Sequence, residues 1–217
     1  MQTQYVNIII EGLSFTNTKS IALALSEYPR LVGKMGYQRY TAVISSKWGN
    51  FKDFPWGKNL ISFDPIDEDQ AMKNYGVWMR LIELQRHYNW IIDCFHLSSQ
   101  QYQIQNNNNK CDFLWLENRL LNLGFHLVHL VQNDTVLESI ITSRDDVNIN
   151  DRLDQVIRER DLLRRLISNS VLPTLNLDIS EMDVGDTIDN ITDWYEEVSG
   201  YTQPEHQPLE KIFLPSC

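Results

Sequence analysis

The sequence predicts an α/β fold in which helices cover both faces of a parallel sheet, and three observations favour this class. Short apolar runs rich in β-branched residues recur along the chain, which is typical of strands buried on both faces. Helical segments separate these runs, so that strands alternate with helices. The chain has 217 residues, of which 42% are hydrophobic and 22% charged, and this suits one compact domain. We expect that domain to span residues 1–200 and a loosely attached tail to follow over residues 201–217.

The first half of the chain alternates two predicted strands with two predicted helices. The apolar run Tyr5–Ile10 predicts a buried strand, and the helix that follows over Lys19–Ser26 should end near Pro29. Asp67–Tyr88 predicts a long helix whose acidic first turn complements the helix dipole. Trp90–Phe95 then predicts the second buried strand.

The second half of the chain continues this alternation. The polar, low-complexity run Gln103–Cys111 predicts a flexible loop. Asp134 is expected to cap the helix Thr135–Ser143. The other predicted elements are a helix over Leu114–Leu123, a strand over Phe125–Val131, a charged helix over Arg152–Leu166, a strand over Leu172–Ser180 and a helix over Val184–Val198.

Composition and charge argue against several functional classes. The formal net charge is −10, from 19 basic and 29 acidic residues, whereas binding to nucleic acid requires a basic surface. The three cysteines form no CxxC pair and therefore predict neither a zinc site nor a disulfide framework. The first residues lack the pattern of a signal peptide, and no apolar run is long enough to span a membrane. We therefore expect a cytoplasmic protein that binds neither nucleic acid nor a membrane.

The stretch NIIIEGLSFTNTKSIALAL, where the first strand meets the first helix, has the layout of a phosphate-binding loop. Such a loop follows the pattern GxxxxGK[ST], in which backbone amides, a lysine and a hydroxyl bind phosphates and Mg²⁺. Lys19 and Ser20 supply the last pair, but Gly12 lies seven residues before the lysine, where about six is usual, and Thr18 replaces the second glycine. Asn17 tolerates positive φ and could adopt the conformation of that glycine. An ordinary strand-to-helix turn with a solvated lysine is the alternative.

Three segments then occur in a distinctive order: IIIEGL near the start, WIIDCFHLSSQQY in the middle, and the stretch from RDLLRR to DWYEE towards the end. In this order they resemble the opening strand, the second motif and the ending of the thymidylate kinase and deoxynucleoside kinase branch of P-loop kinases. The resemblance covers most of Val6–Glu197, apart from the aromatic segment Met35–Asp64. It implies a P-loop kinase-like three-layer fold, with ATP and Mg²⁺ as cofactors. It also implies phosphoryl transfer to a nucleoside, a nucleoside monophosphate or a related metabolite.

The resemblance implies a role for each matched residue. Lys19 would bind the phosphates, while Ser20 and Asp93 would hold Mg²⁺. Glu11, at the end of the first strand, would orient or deprotonate the acceptor. These residues belong to three different segments of the sequence, which the fold would have to bring to one edge of the sheet.

The resemblance also implies a lid over residues 143–152, from which Arg144 would close over the transferred group. Looser lid candidates are Arg152, Arg158 and Arg160, and Arg158 is also a candidate for binding the substrate. Two departures affect the same function: the loop lacks its second glycine, and Cys94 stands where the family has a phosphate-binding arginine. A neutral thiol has neither the charge nor the donors of that arginine. The alternative is therefore a catalytically silent kinase homologue that binds a nucleotide or a partner protein as a regulator or scaffold.

The acceptor is expected to bind near residues 28–66. The aromatic and lysine-rich segment within this region includes Trp48 and Trp56, and it could wrap an aromatic or anionic acceptor or simply cover the sheet edge. His96 is a candidate acceptor contact, although a structural hydrogen bond to a nearby loop is the favoured interpretation. Alternating charges over Arg152–Arg165 predict a largely solvated helix face. A homodimer, and an α/β protein that binds an unrelated ligand, stay open as alternatives.

Overall fold

The computed structural model describes residues 5–13, 15–32, 41–45, 61–143 and 149–200. In chain order these residues form β1 (Asn7–Gly12), α1 (Thr18–Glu27), α2 (Pro29–Val32), β2 (Thr41–Ser45), a 3₁₀ turn (Pro65–Asp67), α3 (Glu68–Leu84), β3 (Asn89–Asp93), α4 (His96–Asn107), α5 (Leu114–Asn122), β4 (His126–Val131), α6 (Asp134–Thr142), α7 (Ile149–Ser168), β5 (Thr174–Asp178) and α8 (Val184–Ser199). Among these helices, none has the length and the apolar character that crossing a membrane requires.

The five strands of the described ranges form one parallel sheet in the order β2-β3-β1-β4-β5. In the central strand, Ile10 is paired with Asp93 of β3 on one side and with Val128 of β4 on the other. Parallel neighbours require crossover connections, and helices between the strands provide them. Because every neighbouring pair runs in the same direction, the carboxyl ends of the strands meet at one edge of the sheet.

Helices pack on both faces of the sheet because the side chains of each buried strand alternate between the two faces. In β1, Ile9 points to a core built with α3, α5 and the second half of α7. Ile8 and Ile10 point to the opposite core, which α1 and α8 complete. All three isoleucines are fully buried, and complete burial of such a side chain stabilises the fold by about 1.5–3 kcal/mol. This arrangement confirms the predicted parallel sheet with helices on both faces.

Helix α4 extends further than the sequence predicts. The expected loop over Gln103–Cys111 is wrong for its first half, because the helix continues to Asn107 and ends at Asn108, which has the left-handed conformation (φ 46°). Tertiary hydrogen bonds explain the extension: Gln103 Nε2 and Asn107 Nδ2 both donate to the backbone oxygen of Phe63 (2.8 and 3.3 Å). These contacts stabilise helix in a stretch whose composition alone indicates a loop.

Two further details correct the sequence analysis. The strand β2 was not predicted, because it spans only five residues of the aromatic region that precedes α3. The cap of α6 is Asn133 rather than Asp134, since Asn133 Oδ1 accepts a hydrogen bond from the backbone N–H of Val136 (3.0 Å). Asp134 is instead the first helical residue, where its negative charge complements the helix dipole.

Candidate functional site

The first strand, the third strand and the first helix converge at the carboxyl edge of the sheet. The backbone N–H of Cys94, just past the end of β3, donates to the oxygen of Ile10 in β1 (2.8 Å). The loop after β1 leads over this edge into α1, and α4 begins two residues beyond Cys94. In open α/β sheets, ligands bind at this edge, outside the carboxyl ends of the strands.

The residue that leads into α1 has a left-handed backbone, one position before Thr18, which replaces the second glycine of the loop and is itself helical. Asn17, its N-cap residue, is left-handed (φ 54°, ψ 30°), as the sequence analysis predicted for this residue. The Asn17 side chain does not cap the helix, and the first N–H groups of any α-helix have no intrahelical acceptor. Lys19 and Ser20 lie on this first turn and are exposed. An anion placed here would meet backbone N–H groups and the positive end of the helix dipole.

The loop between β1 and α1 is folded tightly over Gly12. Thr16 and Thr18 are both buried, and the backbone N–H and the Oγ1 of Thr16 both donate to the oxygen of Leu13 (3.0 and 2.8 Å). A Cβ atom at residue 12 would overlap Thr16 Oγ1 and would lie 3.1 Å from Leu130 O and from Thr18 Cγ2. Position 12 therefore requires glycine because two threonine side chains and a neighbouring strand approach its backbone.

The two departures from the kinase pattern are in direct contact. Thr18 replaces the second glycine of the loop, Cys94 replaces the arginine, and their Oγ1 and Sγ atoms lie 3.6 Å apart in the interior. Cys94 is also left-handed (φ 53°), which turns the chain between β3 and α4. The sequence connects the two positions only through their common function in binding phosphates, and no local signal predicts that their side chains touch.

Glu11 binds the start of α4. Its side chain is fully buried, and Oε1 accepts hydrogen bonds from the backbone N–H groups of Phe95 (2.9 Å) and Ser98 (3.5 Å), while Oε2 accepts one from the Ser98 hydroxyl. Phe95 is the N-cap residue and provides no side-chain cap of its own. The Glu11 carboxylate of β1 thus caps the helix α4 and complements the dipole of that helix.

Asp93 is 1% exposed and ends β3, where it is paired with Ile10 and Ser45. Carboxylate and hydroxyl oxygens are the ligands that Mg²⁺ prefers, so Asp93 and Ser20 suit this ion by their chemistry. In the described part of the chain, no group of three or more His, Cys, Asp or Glu side chains could hold a metal ion. A magnesium ion here would therefore depend on oxygens from a bound phosphate and from water.

His96 lies in the interior and bonds to a residue that sequence reasoning missed. It is 0% exposed, and its Nε2 atom lies 2.9 Å from Glu117 Oε1 on α5. Glu117 also accepts hydrogen bonds from Ser170 Oγ (2.8 Å) and from the backbone N–H of Val171 (3.1 Å). Burial by itself raises the pKa of Glu117, but the hydrogen bond and charge of His96, with the two other donors, hold this pKa below its usual value. The favoured interpretation of His96 as a structural residue agrees with this position, although its partner is a helix rather than a loop.

The arginines of α7 have different surroundings. Arg160 is 9% exposed; its Nη1 atom pairs with Asp134 and lies 3.5 Å from the backbone oxygen of Gln132. These contacts anchor α7 to the start of α6 and give Arg160 a structural role, while the lid role suggested for it stays a prediction. Arg158 is exposed and lines a cavity between α4 and α7, and Arg152 is exposed near the start of α7.

A cavity of about 330 Å³ begins beside the loop. It is lined by Gly12, Leu13, Ile61, Ser98, Gln101, Tyr102, Gln105, Asn106, Gln155 and Glu159. Only Gly12 in this set belongs to the predicted site. Gln105 and Asn106 were missed because they belong to the part of α4 that the sequence predicts as a loop, and Gln155 because it lies on the face of α7 predicted to be solvated.

Several predicted site residues lie outside the described residues. They are Trp48, Trp56, Arg144 and the tail over residues 201–217. The same applies to most of the region 28–66 and to the first part of the lid over residues 143–152. The structure therefore brings together Glu11, the loop, Lys19, Ser20 and Asp93 at one edge, while the aromatic segment and the lid stay predictions.

Comparison with known proteins gives similar structures but no similar sequences. No protein-family model matches the sequence, and no curated protein is similar to it. The chain is similar to the structure of YorR from Bacillus subtilis in complex with phosphorylated GDP, with a TM-score of 0.61 and 16% identity over 88% of this chain and 96% of that chain. Two others are thymidylate kinase from Candida albicans (TM-score 0.48, 15% identity, 89% and 92% covered) and shikimate kinase from Bacteroides thetaiotaomicron (TM-score 0.46, 11% identity, 88% and 96% covered).

The likeness to YorR spans nearly the full length of both chains, and at 16% identity it shows a common fold. Together with the parallel sheet of order β2-β3-β1-β4-β5, it confirms the P-loop kinase-like three-layer fold that the sequence predicts.

Proposed function

We propose that this protein binds the phosphates of ATP at the start of α1 and transfers a phosphoryl group to a small acceptor. The observation that carries the proposal is the left-handed Asn17, which leads into a helix whose exposed first turn holds Lys19 and Ser20. A cavity lined by Gly12 and Leu13, at the end of β1 where the loop begins, provides room for the acceptor. YorR, a protein with the same fold, was crystallised with phosphorylated GDP, which supports a nucleotide as the ligand.

Each residue of the site has a proposed task. The Lys19 ammonium binds the outer phosphates, and Ser20 and Asp93 hold Mg²⁺, which neutralises charge on the phosphates during transfer. Glu11 fixes the start of α4 and thereby positions Ser98, which lines the cavity. The proposed acceptor is a nucleoside, a nucleoside monophosphate or a related metabolite.

A catalytically silent homologue that binds a nucleotide as a regulator or scaffold is the second candidate. The contact between Thr18 and Cys94 favours it, because a threonine occupies the position of the loop glycine and a neutral thiol occupies the position of a cation. One cationic group in phosphoryl transfer can contribute about 10³-fold or more to the rate. The loss of such a group affects transfer much more than binding.

Titration calorimetry with MgATP tests the proposal. We expect Lys19→Ala to weaken binding by about tenfold or more, because it removes a charged contact to the phosphates. Lys73→Ala, which removes an exposed lysine from α3, is the matched control and should bind like the wild type. Transfer of labelled phosphate from ATP is then measured with nucleosides, nucleoside monophosphates and sugars.

The outcomes separate the two candidates. Binding that depends on Lys19, followed by transfer to an acceptor, supports the kinase. Binding that depends on Lys19 without transfer to any acceptor supports the silent homologue. Equal affinity of the wild type and Lys19→Ala, or no binding of MgATP, rejects both.

A further inference from the structure

A groove between α4 and α7 extends from the phosphate loop along the surface. Its wider part is a cavity of about 830 Å³, lined by Ile104, Gln105, Asn106, Gln155, Arg158, Glu159, Asp161, Leu162, Arg164 and Arg165. The cavity of about 330 Å³ that begins at Gly12 shares four of these residues, namely Gln105, Asn106, Gln155 and Glu159. The two cavities are therefore adjoining sections of one groove. Its near end lies at the loop, and its far end lies at the arginines of α7.

One face of α7 forms the wall of this groove. Gln155, Arg158, Leu162 and Arg165 recur at spacings of three and four residues, which places them along one side of the helix. The wall is held against α4 because Gln101 Nε2 donates to the backbone oxygen of Glu159 (3.0 Å). With a rise of about 1.5 Å per residue, Arg158 and Arg165 are separated by about 10 Å along the helix axis.

The far end of the groove is cationic, although the whole chain has a formal net charge of −10. Neither Arg158 nor Arg165 pairs with a carboxylate of the described residues; Arg165 Nε donates only to the backbone oxygen of Asp161 (3.3 Å). The Asp161 carboxylate lies 3.5 Å from Arg160 Nε and 4.0 Å from Arg164 Nη1. Several other arginines of the described part have carboxylate partners, such as Arg119 with Glu83 and Arg30 with Glu196.

The near end has a different chemistry. Its described lining provides neutral donors and acceptors and one carboxylate, Glu159, whose Oε1 accepts a hydrogen bond from Gln155 Nε2 (2.9 Å). Amides and hydroxyls of this kind bind hydroxyl groups well, because each can both donate and accept. The neutral residues are Ser98, Gln101, Tyr102, Gln105 and Asn106.

We propose that the groove binds the acceptor as an elongated, hydroxylated molecule with an anionic group, a carboxylate or a phosphate, at the end remote from the loop. The inference rests on the proposed function. Arg158 and Arg165 bind the anionic group, and guanidinium groups suit it because their donors match the geometry of carboxylates and phosphates. A hydroxyl at the other end reaches the loop beside Gly12. Its oxygen forms a bond to the terminal phosphorus of ATP, the bond from that phosphorus to the bridging oxygen breaks, ADP leaves, and the hydroxyl proton passes to solvent.

Calorimetry with three matched pairs of probes tests the groove: ribose 5-phosphate with ribose, glycerol 3-phosphate with glycerol, and gluconate with glucose. We expect at least one anionic probe to bind about tenfold or more tightly than its neutral counterpart, because charge-assisted hydrogen bonds are about twice as strong as neutral ones. The double variant Arg158→Gln/Arg165→Gln should lose this preference and keep its affinity for MgATP. The control Arg86→Gln/Lys73→Gln removes two exposed positive charges outside the groove and should bind like the wild type.

Three results overturn the inference. The first is that no anionic probe binds. The second is that the double variant at Arg158 and Arg165 binds the anionic probe as tightly as the wild type. The third is that Lys19→Ala abolishes binding of the anionic probe while the arginine variant does not, because the anion then binds at the loop. Failure of the wild type to bind MgATP rejects the proposed function separately, since that titration contains no acceptor.

Discussion

Replacement of Glu11 separates a structural from a catalytic role for this carboxylate. In Glu11→Ala, the buried N–H groups of Phe95 and Ser98 lose their shared acceptor. Each unsatisfied buried donor costs about 1–3 kcal/mol, so we expect the loss of the acceptor for two donors to lower the free energy of unfolding by about 2–6 kcal/mol. Glu11→Gln keeps the shape and one acceptor oxygen but removes the charge, and we expect a loss of about 1–2 kcal/mol.

Urea unfolding followed by circular dichroism measures these changes by linear extrapolation. Glu138→Ala, which removes an exposed carboxylate from α6, is the control and should stay within about 0.5 kcal/mol of the wild type. If both Glu11 variants are as stable as the wild type, the carboxylate does not cap α4 as described. A Glu11→Gln protein of normal stability that binds MgATP but transfers no phosphate would instead indicate action at the acceptor.

Three other perturbations follow from the same contacts. Gly12→Ala should lower the free energy of unfolding in urea by about 1–3 kcal/mol, because its Cβ overlaps Thr16 Oγ1. Adding Thr16→Ala should partly restore this stability. A Gly12→Ala protein as stable as the wild type would contradict the packing. Asn17→Gly should leave the free energy of unfolding nearly unchanged, whereas Asn17→Val should lower it by about 1–2 kcal/mol, because valine must then adopt a left-handed backbone. Equal stability of the two variants would contradict that conformation. Burial lowers the pKa of His126 and of His129 from 6.5. Below that pH the unfolded chain therefore binds more protons than the folded chain. The free energy of unfolding should decrease as the pH falls through about 6.5. Urea unfolding at about pH 7.5, 6 and 5 measures this decrease, which should be smaller in His129→Gln than in the wild type. A wild type whose free energy of unfolding does not change with pH would contradict the prediction.

The central part of the sheet could be predicted because β1 and β4 are apolar runs buried almost throughout. The left-handed turn at Asn17 could be predicted as well, since it depends on a residue type that tolerates positive φ. The part of helix α4 beyond Gln103 could not be predicted, because it is stabilised by a hydrogen bond to Phe63, which lies in another part of the chain.

The environment of the site depends on tertiary packing and was therefore harder to predict from the sequence. The sequence places Glu11 at a strand end, but its donors belong to the start of α4, which the pairing of β1 with β3 brings beside it. The contact between Thr18 and Cys94 joins residues 76 positions apart, and the sequence indicates that both departures affect phosphate binding but not that their side chains touch. The groove wall on α7 has a helical spacing that the sequence does contain, yet alternating charges made it read as a solvated face.

A crystal structure of the protein with a non-hydrolysable ATP analogue and Mg²⁺ tests the central claim most directly. We expect the outer phosphates to lie within hydrogen-bond distance of the backbone N–H groups of Lys19 and Ser20, with the Lys19 ammonium in contact with them. A nucleotide bound elsewhere, with the first turn of α1 contacting no phosphate, would contradict the account.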